Sequence, residues 1–218
     1  MKRLLQGYAR FRREVFPQMK DHFHLLADTQ NPDILFITCA DSRVVPSLIF
    51  QSEPGDLFIS RVIGNIIPPF GQMAGGISAT IEYAVEVLHV RQIIVCGHSD
   101  CGAIKAALAA ATAPAGRPEL ARLPLTAKWL GYIESAWKHV PPGVSRDDPG
   151  TVDVALIRAN VVAQVENLKT HPEVARALAH KNLEVHGWYY DILTGSIEAW
   201  VEQENRFIPL EELSAREK

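Results

Sequence analysis

Three residues far apart in the chain have the chemistry of one metal site. In Val95-Cys96-Gly97-His98-Ser99-Asp100-Cys101-Gly102, a histidine and a cysteine share a tight turn behind the apolar run Ile93-Ile94-Val95. A neutral imidazole and a thiolate at this spacing can grip one zinc ion from one loop. Two ligands do not close a site. Cys39 supplies a third: it follows a second apolar run, Ile34 to Thr38, and opens Cys39-Ala40-Asp41-Ser42-Arg43. Cys39, His98 and Cys101 form a Cys₂His set, with a fourth position left for water, substrate or Asp41. Cys96 is the rival ligand, and Cys101 is preferred because Cys96 lies inside the apolar run. Zinc so held is a Lewis acid that lowers the pKa of a bound water toward roughly 7. Two thiolates donate more charge than imidazoles would and blunt that acidity. Asp41 and Arg43, two apart on an extended segment, point the same way, and a bidentate Arg–carboxylate pair keeps the carboxylate ionised. Gly102 opens the next helix, where its N–H faces a small anion or simply starts the helix. Asp100, between two ligands, is read as exposed or as a partner standing behind them.

These residues need elements to place them. Ile34 to Thr38, Asp56 to Val62, Gln92 to Cys96 and Leu183 to Tyr190 read as strands; the first is a continuous apolar run, the mark of a strand buried on both faces of a parallel sheet. Leu193-Thr194-Gly195-Ser196 turns the last of them back into Ile197 to Glu202, an antiparallel strand at the sheet edge. Helices are expected at Pro46 to Phe50, from Ile77 to Leu88, from 103 to 111, Leu125 to Val140, Val152 to Lys169 and Pro172 to His180. Residues 113–118 and 141–150 are rich in Pro and Gly and read as loops, the second a mobile one. Near-helical spacing from Leu4 to Leu26, broken at Pro17, reads as two helices, with His22 and His24 on the surface. The fold expected is one α/β domain: about four parallel strands, an antiparallel edge strand, helices on both faces and an N-terminal helical arm. Residues 1–30 are the arm, 31–203 the domain and 204–218 a charged tail that frays from Glu211 onward.

Cys39-Ala-Asp41-Ser-Arg43 and His98-Ser-Asp-Cys101-Gly102 resemble the two zinc motifs of the β-class carbonic anhydrases. The likeness runs on through Pro54-Gly55-Asp56-Leu57-Phe58, Arg61 with Gly64-Asn65, Glu82-Tyr83-Ala84 and His186-Gly187-Trp188-Tyr189-Tyr190. The run Gly64 to Pro69 and the opening Met1 to Phe16 are similar to the long forms found with cyanobacterial carboxysomes. The resemblance implies one Zn²⁺ per chain and reversible hydration of CO₂ to bicarbonate and a proton by zinc-bound hydroxide. Asp41 then either accepts a hydrogen bond from that hydroxide or takes the fourth metal position in a closed, inactive state, with Arg43 deciding between them. Gly102 would meet bicarbonate. It also implies a homodimer or a dimer-based oligomer and, from the cyanobacterial likeness, a carboxysomal location with shell proteins as partners. The regulatory bicarbonate pocket of some relatives would fall on Phe36, Arg61 and Tyr190, with Phe36 in a Trp position. Glu53 replaces a glutamine found near the substrate in plant-type members. Val62-Ile63 departs from the usual Asn-Ala. His186 is read as structural.

Composition excludes other classes. At 218 residues with 47% hydrophobic and 22% charged, the chain suits one soluble globular domain. The formal net charge of −3 gives no electrostatic case for nucleic acid or an anionic membrane. No run of about 18 apolar residues is present, so no membrane span is expected. Met1 to Gly7 lacks the apolar core of a signal peptide, so a cytoplasmic location is expected. Three cysteines fit a reducing compartment. The rivals are a COS or CS₂ hydrolase on the same scaffold, a catalytically weak structural member of a carboxysome-like complex, and a redox thiol protein, for which no Cys-x-x-Cys is present.

Overall fold

The computed structural model describes residues 1–112, 118–144 and 149–216. The apolar runs become the two central strands, β1 (Ile34–Thr38) and β3 (Gln92–His98), parallel and in register with Phe36 opposite Ile94. β2 (Leu57–Arg61) lies outside β1 and β4 (Glu184–Tyr190) outside β3, both parallel. β5 (Ile197–Val201) and β6 (Arg206–Pro209) complete the sheet antiparallel, in the order β2-β1-β3-β4-β5-β6. From β1 the chain passes through α3 (Pro46–Ile49) to β2 on one side. From β3 it leaves for β4 on the other side. The boundary between β1 and β3 is therefore the switch point of an open α/β sheet, where a crevice opens beyond the carboxyl ends of the strands.

One face of the sheet is thickly covered. Leu35 and Ile37 of β1 and Ile93 and Val95 of β3 pack beneath α4 (Gly76–Glu86), α8 (Pro149–Lys169) and α9 (Pro172–Ala179). The approach of α8 depends on missing side chains: a Cβ at Gly97 would lie 2.7 Å from Val161 Cγ2, and one at Gly187 2.9 Å from Val161 Cγ1. Over the strand ends, α5 (Gly102–Thr112), α6 (Pro118–Ala121), α7 (Pro124–Leu130) and a 3₁₀ stretch (Gly131–His139) join α8 around a second core that includes Cys39 and Cys101. The opposite face is thin. Phe36, Ile94 and Cys96 form a small buried cluster there, with Phe50, Trp188 and Tyr190 only partly covered. The helical cover expected on both faces is thus unequal.

Elsewhere the structure corrects local readings. The tail from 204 carries β6 and then α10 (Leu210–Arg216), so 211–216, expected to fray, is helical and tied by Arg216 to Glu204 and Glu212; residues 217–218 lie outside the described residues. The single helix expected over 125–140 divides into α7 and the 3₁₀ stretch. Of the two loops, 113–117 and 145–148 lie outside the described residues. The N-terminal arm breaks near Pro17 as expected: α1 (Lys2–Arg10) runs through a π turn and a 3₁₀ turn into α2 (Lys20–Leu26). α1 buries nothing, and Leu4, Leu5 and Tyr8 are 72%, 61% and 63% exposed. His24 is exposed, but His22 is half-buried and donates from Nε2 to the Pro54 carbonyl at 2.7 Å.

Candidate metal centre

Because β1 and β3 are neighbours in register, with Thr38 opposite Cys96, the residues leaving their carboxyl ends emerge side by side. Cys39 follows β1, His98 ends β3 and Cys101 precedes α5. One ligand atom from each lies within 4.8 Å of the others, and all three residues are buried. The loops carrying them are latched at several points. Ser99 donates its N–H to the Tyr190 carbonyl at 2.9 Å, and its hydroxyl accepts from Ile192 N at 2.9 Å. Asp100 closes the turn at φ 58, a left-handed conformation that a short polar side chain tolerates. On the other loop Arg61, at the end of β2, donates from Nε to the Cys39 carbonyl at 3.3 Å and from a terminal nitrogen to the Asp41 carbonyl.

The ring of His98 shows what the cluster can take. Its Nδ1 donates to the Ser99 carbonyl at 2.9 Å, so Nε2 carries the lone pair. Nε2 is fully buried and has no hydrogen-bond partner. A buried nitrogen of this kind is rare unless a ligand satisfies it. Cys39 Sγ accepts from Gly64 N–H at 3.3 Å. Hydrogen bonding from Cys101 draws the Cys39 thiol well below its ordinary range, against burial and with help from the Gly64 N–H. The Cys101 thiol is pushed up by that same contact and by burial, partly offset by the N–H groups of Ile104 and Ala103 at the start of α5. A divalent cation held by Cys39, His98 and Cys101 would favour both cysteines as thiolates.

Cys96 stands apart. It packs with Phe36 and Ile94 on the thin face, and burial pushes its thiol up to about 12. Asp41 and Arg43 sit beside the cluster. Arg43 donates from Nε and its backbone N–H to Asp41 Oδ1, both at 2.9 Å, and from a terminal nitrogen to Oδ2 at 2.8 Å. That pairing holds the Asp41 carboxyl well below the usual carboxylate range. Asp41 Oδ2 is 4.0 Å from His98 Nε2. The other end of the guanidinium reaches Asp100, at 2.7 Å to Oδ2 and 3.1 Å to the carbonyl, and Lys105 pairs with Asp100 Oδ1. Arg43, then Lys105, pull the Asp100 carboxyl down to about 2. Asp100 is exposed, and its carboxylate grips Arg43 and Lys105 instead of a candidate ligand.

The remaining sites fall as follows. Gly102 is the first residue of α5, exposed, and a Cβ there would meet nothing. Phe36 and Tyr190 belong to the thin-face cluster, whereas Arg61 is committed to the Cys39 and Asp41 carbonyls. Glu53 is exposed and donates its backbone N–H to Asp56 Oδ2 at 2.7 Å. Val62 packs against the main core while Ile63 is 47% exposed. His186 lies 3.5 Å from Glu184 on β4. Sequence reasoning did not find the part played by Gly64, whose left-handed φ of 68 turns its N–H to Cys39; its only signal was a glycine before Asn65.

A family model for carbonic anhydrase matches residues 34–197. Carbonic anhydrase of Pseudomonas aeruginosa (strain PAO1) is 46% identical over 212 residues, 97% of this chain and 93% of that protein. Carbonic anhydrase of Synechocystis sp. is 41% identical over 200 residues, 92% of this chain and 71% of the relative. Among solved structures, the β-carbonic anhydrase CcaA superposes with a TM-score of 0.86 at 39% identity, covering 96% of this chain and 91% of the other.

Proposed function

The chain belongs to the β-class carbonic anhydrases, and we propose that it catalyses the zinc-dependent, reversible hydration of CO₂ to bicarbonate and a proton. The observation that carries the zinc assignment is the orphaned Nε2 of fully buried His98, facing two cysteine sulfurs. Two thiolates and one imidazole are a donor set that suits zinc and leaves one position open. When bound, zinc supplies the Lewis acidity that makes water nucleophilic near neutral pH. Asp41 accepts a hydrogen bond from the attacking water and aims its free lone pair at the CO₂ carbon. Arg43 keeps Asp41 ionised and turned toward itself, so the carboxylate orients water instead of taking its place. The C–O bond forms, the released proton passes to solvent, and the bicarbonate oxygen faces the Gly102 N–H at the positive end of α5.

The thin face and the unburied α1 motivate a homodimer. Each leaves apolar surface that a second copy would cover. No helix among the described residues is long and apolar enough to cross a membrane. The cytoplasm suits this reading; the cyanobacterial likeness keeps carboxysome shell proteins as the implied partners there.

Metal analysis beside stopped-flow CO₂ hydration tests the proposal. One zinc per chain is expected; Cys101→Ser loses zinc and activity together, and Cys96→Ser keeps both. Zinc retained by Cys101→Ser but lost from Cys96→Ser would overturn the ligand set. A zinc-loaded protein without hydration at any pH would overturn the reaction.

A further inference from the structure

The segment Gly64 to Ile67 is held from behind by three amide side chains of α8, Asn160, Gln164 and Asn167. Asn160 Nδ2 donates to the Gly64 carbonyl at 3.0 Å, and Asn167 Nδ2 donates to the Ile67 carbonyl at 2.9 Å. Gln164 Oε1 accepts from Ile67 N–H at 2.7 Å. The amides also bond to one another: Gln164 Nε2 donates to Asn160 Oδ1 at 2.9 Å, and Asn167 Nδ2 to Gln164 Oε1 at 3.2 Å. Asn160 and Gln164 are buried. A buried amide left unpaired is costly, so the ladder holds this loop in one place.

That place matters to the metal ligands. Gly64 offers its N–H to Cys39 Sγ while its carbonyl is gripped by Asn160. A Cβ on Gly64 would meet Ala103 Cβ at 3.1 Å, and the left-handed φ of 68 disfavours any other residue. An N–H donor at a thiolate withdraws charge that the sulfur would otherwise give to the metal, and partners of this kind tune metal sites. With two thiolates in the set, such withdrawal would leave a metal held there the stronger Lewis acid.

We propose that Asn160, backed by Gln164, is a positioning residue for the metal: through Gly64 it sets the hydrogen bond that tempers the Cys39 thiolate. This rests on the reading of Cys39, His98 and Cys101 as the metal site. Cobalt(II)-loaded protein tests it, because the thiolate-to-cobalt charge-transfer band reports the donor strength of the sulfur. Asn160→Leu, or Asn160→Ser if the first does not fold, should shift that band to longer wavelength. It should also lower cobalt affinity about 10-fold in chelator competition. Asn167→Ala, at the far end of the ladder, should lower the unfolding midpoint yet keep the wild-type band. A wild-type band and affinity in the Asn160 variant would reduce the ladder to packing and overturn the proposal. An equal shift in Asn167→Ala would also overturn it, by showing general loosening. A wild-type protein with no thiolate band would instead sink the metal reading itself, and this proposal with it.

Discussion

Arg43 divides its guanidinium between two carboxylates, and the division sets what Asp41 can do. The guanidinium stays charged at any working pH, so pairing with Asp41 does not lapse near neutrality. Without it, Asp41 would be free to turn to a metal held by the neighbouring cluster. Arg43→Ala should therefore keep its metal but lose activity by 10-fold or more, on the order expected when a group that positions the nucleophile is lost. X-ray absorption should show a carboxylate oxygen on the metal in Arg43→Ala and a water or buffer ion in Asp41→Ala. Hydration by Arg43→Ala at near the wild-type rate would rule out the gate. The pH sign follows from the same pair. The folded Asp41 value lies below the unfolded value of about 3.9. Its stabilisation is therefore fully present above that value and is lost as pH falls through the folded one. In urea melts, the stability gap between wild type and Asp41→Asn should stay level from about pH 8 to 5 and narrow below about pH 4. A gap that widens in acid would contradict this. The metal trio was legible because Cys39, His98 and Cys101 are chemically distinctive and follow apolar runs. The grip of Asp100 on Arg43 was not, because it joins loops 57 residues apart through a left-handed turn that spacing alone cannot reveal.

Helix α8 is the element on which the rest leans. Val161 rides over two glycines on adjacent strands, so the distance from helix to sheet depends on two missing methyl groups. Gly97→Ala should destabilise by about 1–3 kcal/mol, the usual cost of overpacking, read as a lower urea midpoint at unchanged slope. Stability equal to wild type would mean that α8 recedes freely. The long apolar strands were readable at this scale because a run such as Ile34 to Thr38 admits little else. β6 was not: it has four residues, one of them Pro, with only Ile208 buried, and its strand character comes from pairing with β5. The 3₁₀ stretch from Gly131 was hidden for another reason. Apolar spacing at three and at four residues is too close to separate one helix type from the other.

At the scale of the whole molecule, the sheet is covered on one face and half-covered on the other. Alternating strands and helices made the α/β class legible. The uneven cover was not, since Phe36 and Leu35 are equally apolar and only neighbouring chain distinguishes their surroundings. A chain lacking residues 1–27 should lose solubility and dissociate, with light scattering as the measure. A fully active monomer at assay concentration would refute the dimer. The thin face also carries Trp188, edge to face with Phe36 at 6.3 Å and close to Phe50. Of the four tryptophans it is the one placed on that face. Its emission is thus a built-in gauge of assembly. If a second copy seals this surface, dilution should shift the fluorescence to the red with a concentration midpoint, and Trp188→Phe should silence the shift without abolishing dissociation.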